Sequence, residues 1–233
     1  LNVTTATGAV LDAANLADAT TITIGTGSAS IDAATTDEAA LAAKTTVNNG
    51  TTLTVNNYVN TDLSGLNNQG SGSIVVNTTT GAVLDETKLA DATSVVLGAA
   101  ASGAASAIDG LGSNGATINL NNQTLSVSGY TTENLSGITS TGTLNVTTAT
   151  GAVLDASKLA TADAITIGAG SASGSASDVN SLGEEKITIA TGTSLNVSGY
   201  TNQELAGFIK QGTGVLNVTT ATGAVLDAAN LAD

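Results

Sequence analysis

The stretch LNVTTATGAVLDAANLAD at residues 1–18 returns letter for letter at residues 216–233, and looser copies begin at Ile74 and Leu144. The starts at Leu1, Ile74, Leu144 and Leu216 are nearly evenly spaced. Repetition at a fixed period marks a stacked architecture, because one such unit cannot bury its apolar face alone. The chain divides into units 1–73, 74–143 and 144–215, with a partial unit at 216–233. The two middle copies have diverged, to DETKLADA and DASKLATA, whereas the copy that starts at Leu216 restores the first variant. A super-repeat of three units, cut from a longer array, accounts for this.

A finer period runs inside each unit. Short alternating triplets begin at Leu1, Ile22, Leu53, Ile74, Val95, Leu125, Leu144, Ile165, Leu195 and Leu216. Aliphatic residues at i and i+2 carry strand periodicity. A leucine follows at one fixed offset from many of these starts: Leu11, Leu63, Leu84, Leu135, Leu154, Leu205 and Leu226. The same layer position is thus filled turn after turn. Further strand-like pieces lie near Val47, Ile118 and Ile187. The pattern predicts an all-β fold, a parallel β-solenoid with rungs of roughly 20–30 residues, three per unit, continuous from 1 to 233. Ten rungs at about 4.8 Å would span roughly 50 Å.

The turns carry their own signals. Gly8, Gly81, Gly151 and Gly223 precede an Ala-Val-Leu segment, and Gly25, Gly98 and Gly168 follow the second triplet. Both sets suit corners that need a positive φ. Asp12, Asp85, Asp155 and Asp227 stand where they would cap short helical turns ending near Leu16, Leu89, Leu159 and Leu231. Thr201, with Glu204 three places on, has the form of a capping box.

Composition removes many functions. The 233 residues include five Lys and nineteen acids, for a net charge of -14, and no His, Cys, Met, Trp or Pro. With no Cys or His, the chain has no disulfide, thiolate nucleophile, histidine base or Cys/His zinc site. An acidic chain with no Arg does not neutralise a phosphate backbone, so nucleic acid is not a partner. No apolar run nears the roughly 20 residues that span a bilayer. Disorder is the competing reading of such a composition, but the regular triplets and a mean hydropathy of +0.24 oppose it.

Few residues are candidates for chemistry. Asp12, Asp85, Asp155 and Asp227 are carboxylates in loops, the ligand type that Ca²⁺ takes. No Asp-x-Asp-x-Asp cluster or glycine-rich calcium nonapeptide accompanies them, so capping is the simpler role. Tyr58, Tyr130 and Tyr200 recur in NNYVNTDLSGL, SGYTTENLSGI and SGYTNQELAGF. They read as corner residues, with a sugar-binding row as the sharper alternative. Glu184-Glu185, beside Lys186, is an acidic pair in one unit only, without an aromatic subsite, and reads as a solvated loop rather than an acid/base pair. The outward middle residues of the triplets hold Thr at only three places, Thr23, Thr54 and Thr166, which gives no regular ice-binding array. No catalytic or cofactor-binding residue is assigned, and an enzyme is not expected.

The Thr/Ala/Gly/Asn/Asp richness, the missing Cys, the pI near 4.1 and the diverged LNVTTATGAVLD units are of one style. In that style the chain resembles the repeat regions of giant secreted bacterial surface proteins: adhesins, filamentous haemagglutinin-like stalks, and S-layer or sheath proteins. The resemblance implies an extracellular or cell-surface place and a structural role in a fibre, stalk or surface layer. The alternative it implies is an adhesin that binds a glycan or surface through exposed loops such as 98–117 and 168–184. Its partners would be neighbouring repeats, further copies of the chain, or cell-surface glycan.

Overall fold

The computed structural model describes residues 1–34, 37–139 and 141–232, with only the backbone of Glu38. Asp233, the last residue of the partial unit, lies outside them. Strand outweighs helix, 40% to 12%, and the strands form four sheets whose pairings are all parallel. The chain forms two compact units. One holds Leu1–Gly103, Ala107–Leu125 and Gly137–Gly142; the other holds Ala104–Ser106, Ser126–Ser136 and Thr143 onward. Each is a parallel β-solenoid.

In the first unit, one sheet joins Asn2–Thr5, Thr21–Ile24, Thr45–Val47 and Asn67–Asn68. A second joins Ala9–Leu11, Ser28–Asp32, Thr52–Tyr58, Ser73–Thr78, Ser94–Val96, Thr117–Asn119 and Ile138–Thr139. Ala82–Leu84 pairs with Ala101–Ala104 on a further side. Turns and the short helix Asp37–Ala42 close the coils. In the second unit, Thr143–Thr148, Ala164–Ile167, Ile187–Ile189 and Ile209–Lys210 form one ladder. Ala152–Leu154, Ser171–Ser175, Ser194–Tyr200 and Val215–Thr220 form another. The helix Ala176–Leu182 covers its third side.

Registers give the coil length. The shortest step shown by these ladders takes Asn2 to Thr21, and the longest takes Ser28 to Thr52. One buried column runs Leu11, Ile31, Val55, Val76, Val95, Ile118, Ile138. Six steps carry it from Leu11 to Ile138, about 21 per coil. The sequence unit, as from Leu144 to Leu216, therefore holds about three and a third coils rather than three. Within the first compact unit, the copy at Leu1 lies in the first sheet and the copy at Ile74 lies in the second. Within the second, the copies at Leu144 and Leu216 likewise lie in different sheets. The triplets are thus not one column. The extra pieces at Val47, Ile118 and Ile187 are full members of the ladders.

Burial follows the alternation. Ile22, Ile24, Leu53, Val55, Ile165, Ile167 and Leu195 are fully buried, and so are Leu63, Leu84, Leu135, Leu154 and Leu205. Each such side chain contributes about 1.5–3 kcal/mol of transfer free energy. The columns therefore supply the core that four aromatic residues do not. Leu226 is the exception among the recurring leucines, at 71% exposure.

The two glycine sets differ in physical cause. Gly8, Gly81, Gly151 and Gly223 have φ of 79°, 82°, 81° and 81°, a region that L-residues avoid. Gly25, Gly98 and Gly168 have no positive φ, contrary to expectation. A Cβ at Gly98 would overlap the carbonyl oxygen of Thr78, and one at Gly168 would overlap the Thr147 methyl. Gly98 and Gly168 let one coil approach the next, and the N–H of each donates to a threonine hydroxyl, Thr78 or Thr148, at 3.3 Å.

Gly98→Ala is therefore expected to destabilise by about 1–3 kcal/mol through overpacking. Gly112→Ala, in the helix Ala105–Ser113 with nothing near its added methyl, should stabilise by about 0.5–1 kcal/mol. Calorimetric melting of both variants checks this, and equal shifts would refute the close-approach account.

Candidate functional site

The recurring aspartates are engaged in their own turns. Asp12 Oδ1 accepts from Asn15 N at 3.0 Å, and Asp227 Oδ1 from Ala229 N at 2.8 Å. Asp85 Oδ1 accepts from Thr87 N and Oγ1, at 2.9 and 2.7 Å. Asp155 Oδ1 does the same with Ser157, at 2.9 and 2.6 Å, and caps the helix Ala156–Leu159. The Thr87 and Ser157 hydroxyls, then the backbone N–H groups, hold the Asp85 and Asp155 carboxyls below the ordinary aspartate range. Asp62 is lowered in the same way by Ser64. Among the described residues no three acidic side chains gather as a metal site.

The tyrosines face inward. Tyr58, Tyr130 and Tyr200 are fully buried. Tyr58 Oη donates to Val83 O at 3.3 Å, and Tyr130 Oη to Val153 O at 3.1 Å. Burial, then nearby Asp85 or Asp155, pushes both phenols well above the usual tyrosine range. Their rings tie a strand end to the next coil and offer no face to a sugar. The region of Thr201 is not a helical turn: Gln203 Oε1, rather than Glu204, accepts from Thr201 N at 2.8 Å. At the corresponding place in the preceding copy, Glu133 Oε2 accepts from both Thr131 N and Thr132 N.

Glu184, Glu185 and Lys186 form a single 3-10 turn. Glu184 is buried and Glu185 exposed, so the two carboxylates do not face one space. A shallow pocket of about 360 Å³ lies beside Ala13, Leu16, Ala17, Asp37, Leu41 and Lys44. Its one cation, Lys44 Nζ, is held by Ala17 O at 3.2 Å.

Charge is segregated. Among the described residues only Asp32 and Lys210 lie in strands; the other charged residues lie in turns and helices. The outward row of the second sheet reads Ser30, Thr54, Val75, Ser94, Thr117, and beside it run Asn56, Asn77, Val96, Asn119. Asn77 Nδ2 donates to Asn56 Oδ1 at 2.9 Å, so these amides partly satisfy one another.

One set of polar contacts escaped the sequence reading. The residue three places after Asp85, Asp155 and Asp227 reaches back to the preceding coil. Lys88 Nζ donates to Asn60 O and Oδ1 at 3.2 and 2.9 Å. Lys158 Nζ donates to Thr132 O at 2.7 Å. Asn230 Nδ2 donates to Asn202 O and Oδ1 at 3.2 and 3.1 Å. Backbone bonds accompany them, from Leu63, Leu135 and Leu205 N to the carbonyls of Lys88, Lys158 and Asn230. The signal was the shared Lys/Asn position in the aligned copies, but its partner is a coil away in space.

No family model matches the chain, and no curated protein or solved structure is significantly similar to it. Among the described residues no helix is long and apolar enough to cross a membrane.

Asp155→Ala is expected to lower the melting temperature at neutral pH, whereas Asp155→Asn retains most of the cap because its amide oxygen still accepts. The lowered carboxyl adds stability above the unfolded aspartate range and loses it as pH falls through the folded value. The gap between wild type and Asp155→Ala should thus narrow as pH falls below ~3.8, towards the gap that Asp155→Asn shows at neutral pH. Melts across a pH series check this; a gap of the same size at neutral and acid pH would remove the role assigned to the carboxylate.

Proposed function

We propose that this chain is a structural repeat segment of an extracellular bacterial fibre, stalk or surface layer, and that its work is mechanical. The observation that carries this reading is where the most repeated residues go. The LNVTTATGAVLD segments serve strand pairing, core columns and corners, and their aspartates are engaged in turns. Parallel pairing extends by adding coils, since each coil presents to the next the edge it has received from the last. Keeping all described charges but Asp32 and Lys210 out of the strands leaves sheet faces that bear mostly hydroxyls and amides. The acidic turns keep separate copies soluble through repulsion, which salt or divalent ions screen.

An adhesin that binds glycan through its exposed turns is the competing role. Immunogold electron microscopy of producing cells should find the chain in filaments or a surface sheet, while a glycan array retains no sugar. Tight retention of a defined glycan, with the chain absent from any assembly, would reverse that order.

A further inference from the structure

One turn is built in both compact units on the same backbone plan, and its two polar side chains change places. Ala92 N donates to Leu89 O and Ala162 N to Leu159 O, both at 2.9 Å. Thr93 N and Asp163 N likewise donate to Ile74 O and Leu144 O, both at 2.9 Å. On that plan the first unit reads Asp91-Ala92-Thr93 and the second Thr161-Ala162-Asp163. In the second unit each side chain suits its place. Thr161 Oγ1 donates to Leu135 O at 3.2 Å, and Asp163 Oδ2 accepts from Leu144 N at 2.7 Å. In the first unit Thr93 also serves, since a hydroxyl both accepts and donates. Its Oγ1 accepts from Ile74 N and donates to Ile74 O, both at 3.0 Å. Asp91 stands where Thr161 donates, and an ionised carboxylate has no hydrogen to give.

Half-buried Asp91 shares a small apolar cavity with Leu63, Leu66, Ile74, Val76 and Leu89. Leu63 O, the counterpart of Leu135 O, accepts from Leu66 N at 3.0 Å and, as a carbonyl, has a second lone pair. The fold thus sets a carboxylate where a hydroxyl would reach a carbonyl. A calcium ion takes about six to eight oxygen ligands, and the rest of this cavity wall is hydrocarbon. A proton needs only these two. Burial pushes the Asp91 carboxyl above the ordinary aspartate range. The titratable groups on the surrounding segments are Tyr58, Asp62, Asp85, Glu86 and Lys88. Tyr58 bonds to Val83, Asp62 and Asp85 are engaged by Ser64 and Thr87, and Lys88 reaches Asn60. None of the five moves Asp91, on which burial acts alone.

We propose that Asp91 is a proton-binding site of the fold: a proton from solvent adds to its carboxylate, and the acid so formed donates to Leu63 O as Thr161 donates to Leu135 O. Only an O–H bond forms, and no covalent bond of the chain breaks. The buried carboxylate costs stability in full above its folded pKa, and the cost is gone below the unfolded value. Acid therefore fastens this turn while it loosens the nearby caps of Asp62 and Asp85, whose carboxyls are held low. The first compact unit so carries a latch that closes as pH falls. The second, with Thr161 at that place, is closed at any pH.

Carbon-13 NMR titration of the full chain, with the Asp91 signal assigned through Asp91→Asn, reads the site directly. Asp91 Cγ should titrate above 3.8, the ordinary aspartate value. The Leu63 carbonyl carbon should shift with the same midpoint, distinct from the lower step of its neighbour Asp62. Asp91→Thr should raise the melting temperature at neutral pH, and its lead over wild type should shrink as pH falls through the Asp91 midpoint. Asp91→Val, similar in shape to threonine but with nothing to donate, separates the bond from the burial of a charge. In acid, wild type should melt close to Asp91→Thr and above Asp91→Val. An Asp91 midpoint at or below 3.8, a Leu63 carbonyl signal that does not follow it, or wild type melting together with Asp91→Val in acid would overturn the proposal.

Discussion

Along Ser28–Asp32 and Thr52–Tyr58 the backbone finds its partners a whole coil away, in parallel register from Ser28–Thr52 through Asp32–Asn56. A lone coil satisfies none of these groups, and a buried unpaired N–H or C=O is costly. Every coil must therefore match its neighbour in strand register and in what points inward, while its turns absorb differences in length. The buried columns are a consequence: Leu11, Ile31, Val55, Val76 and Val95 meet because the ladders put them one above another. With so few aromatic residues, stability comes from many such layers of aliphatic side chains.

The same constraint explains the corners. Coils about 4.8 Å apart leave no space for a Cβ where one backbone turns against the next. Gly98 and Gly168 sit at those contacts, while Gly81 and Gly151 answer a different demand, a positive φ. Asp85 and Asp155 fasten the turn that follows. Lys88, Lys158 and Asn230 then tie that turn to the coil before it. Residues that suggested chemistry by recurring are thus corner hardware, and the tyrosines are as well, with Tyr58 and Tyr130 donating across coils.

A mismatch between two periods gives the repeats their placing. The sequence period, from Leu1 to Ile74 to Leu144 to Leu216, is about three and a third coil lengths. Within each compact unit, the later copy is therefore advanced by about a third of a turn over the earlier one. The same LNVTT-type segment must serve sheets on different sides, as Asn2–Thr5 and Ser73–Thr78 do in the first compact unit.

The amino-acid sequence by itself determined the strand periodicity, the inward aliphatic columns, the glycine corners at Gly81 and Gly151 and the capping aspartates. Each depends on residues within one turn of chain, where spacing and residue type decide the outcome. It also determined the absence of thiol and imidazole chemistry, since residues that are not there need no placement. Only the tertiary structure decided which triplets share a column, why Gly98 is a glycine, that Tyr58 and Tyr130 bond across coils, and that Lys88 answers to Asn60. Those partners lie a full coil apart along the chain. Such a separation becomes a contact only after the coil length is set, and the coil length is the collective result of every strand pairing at once.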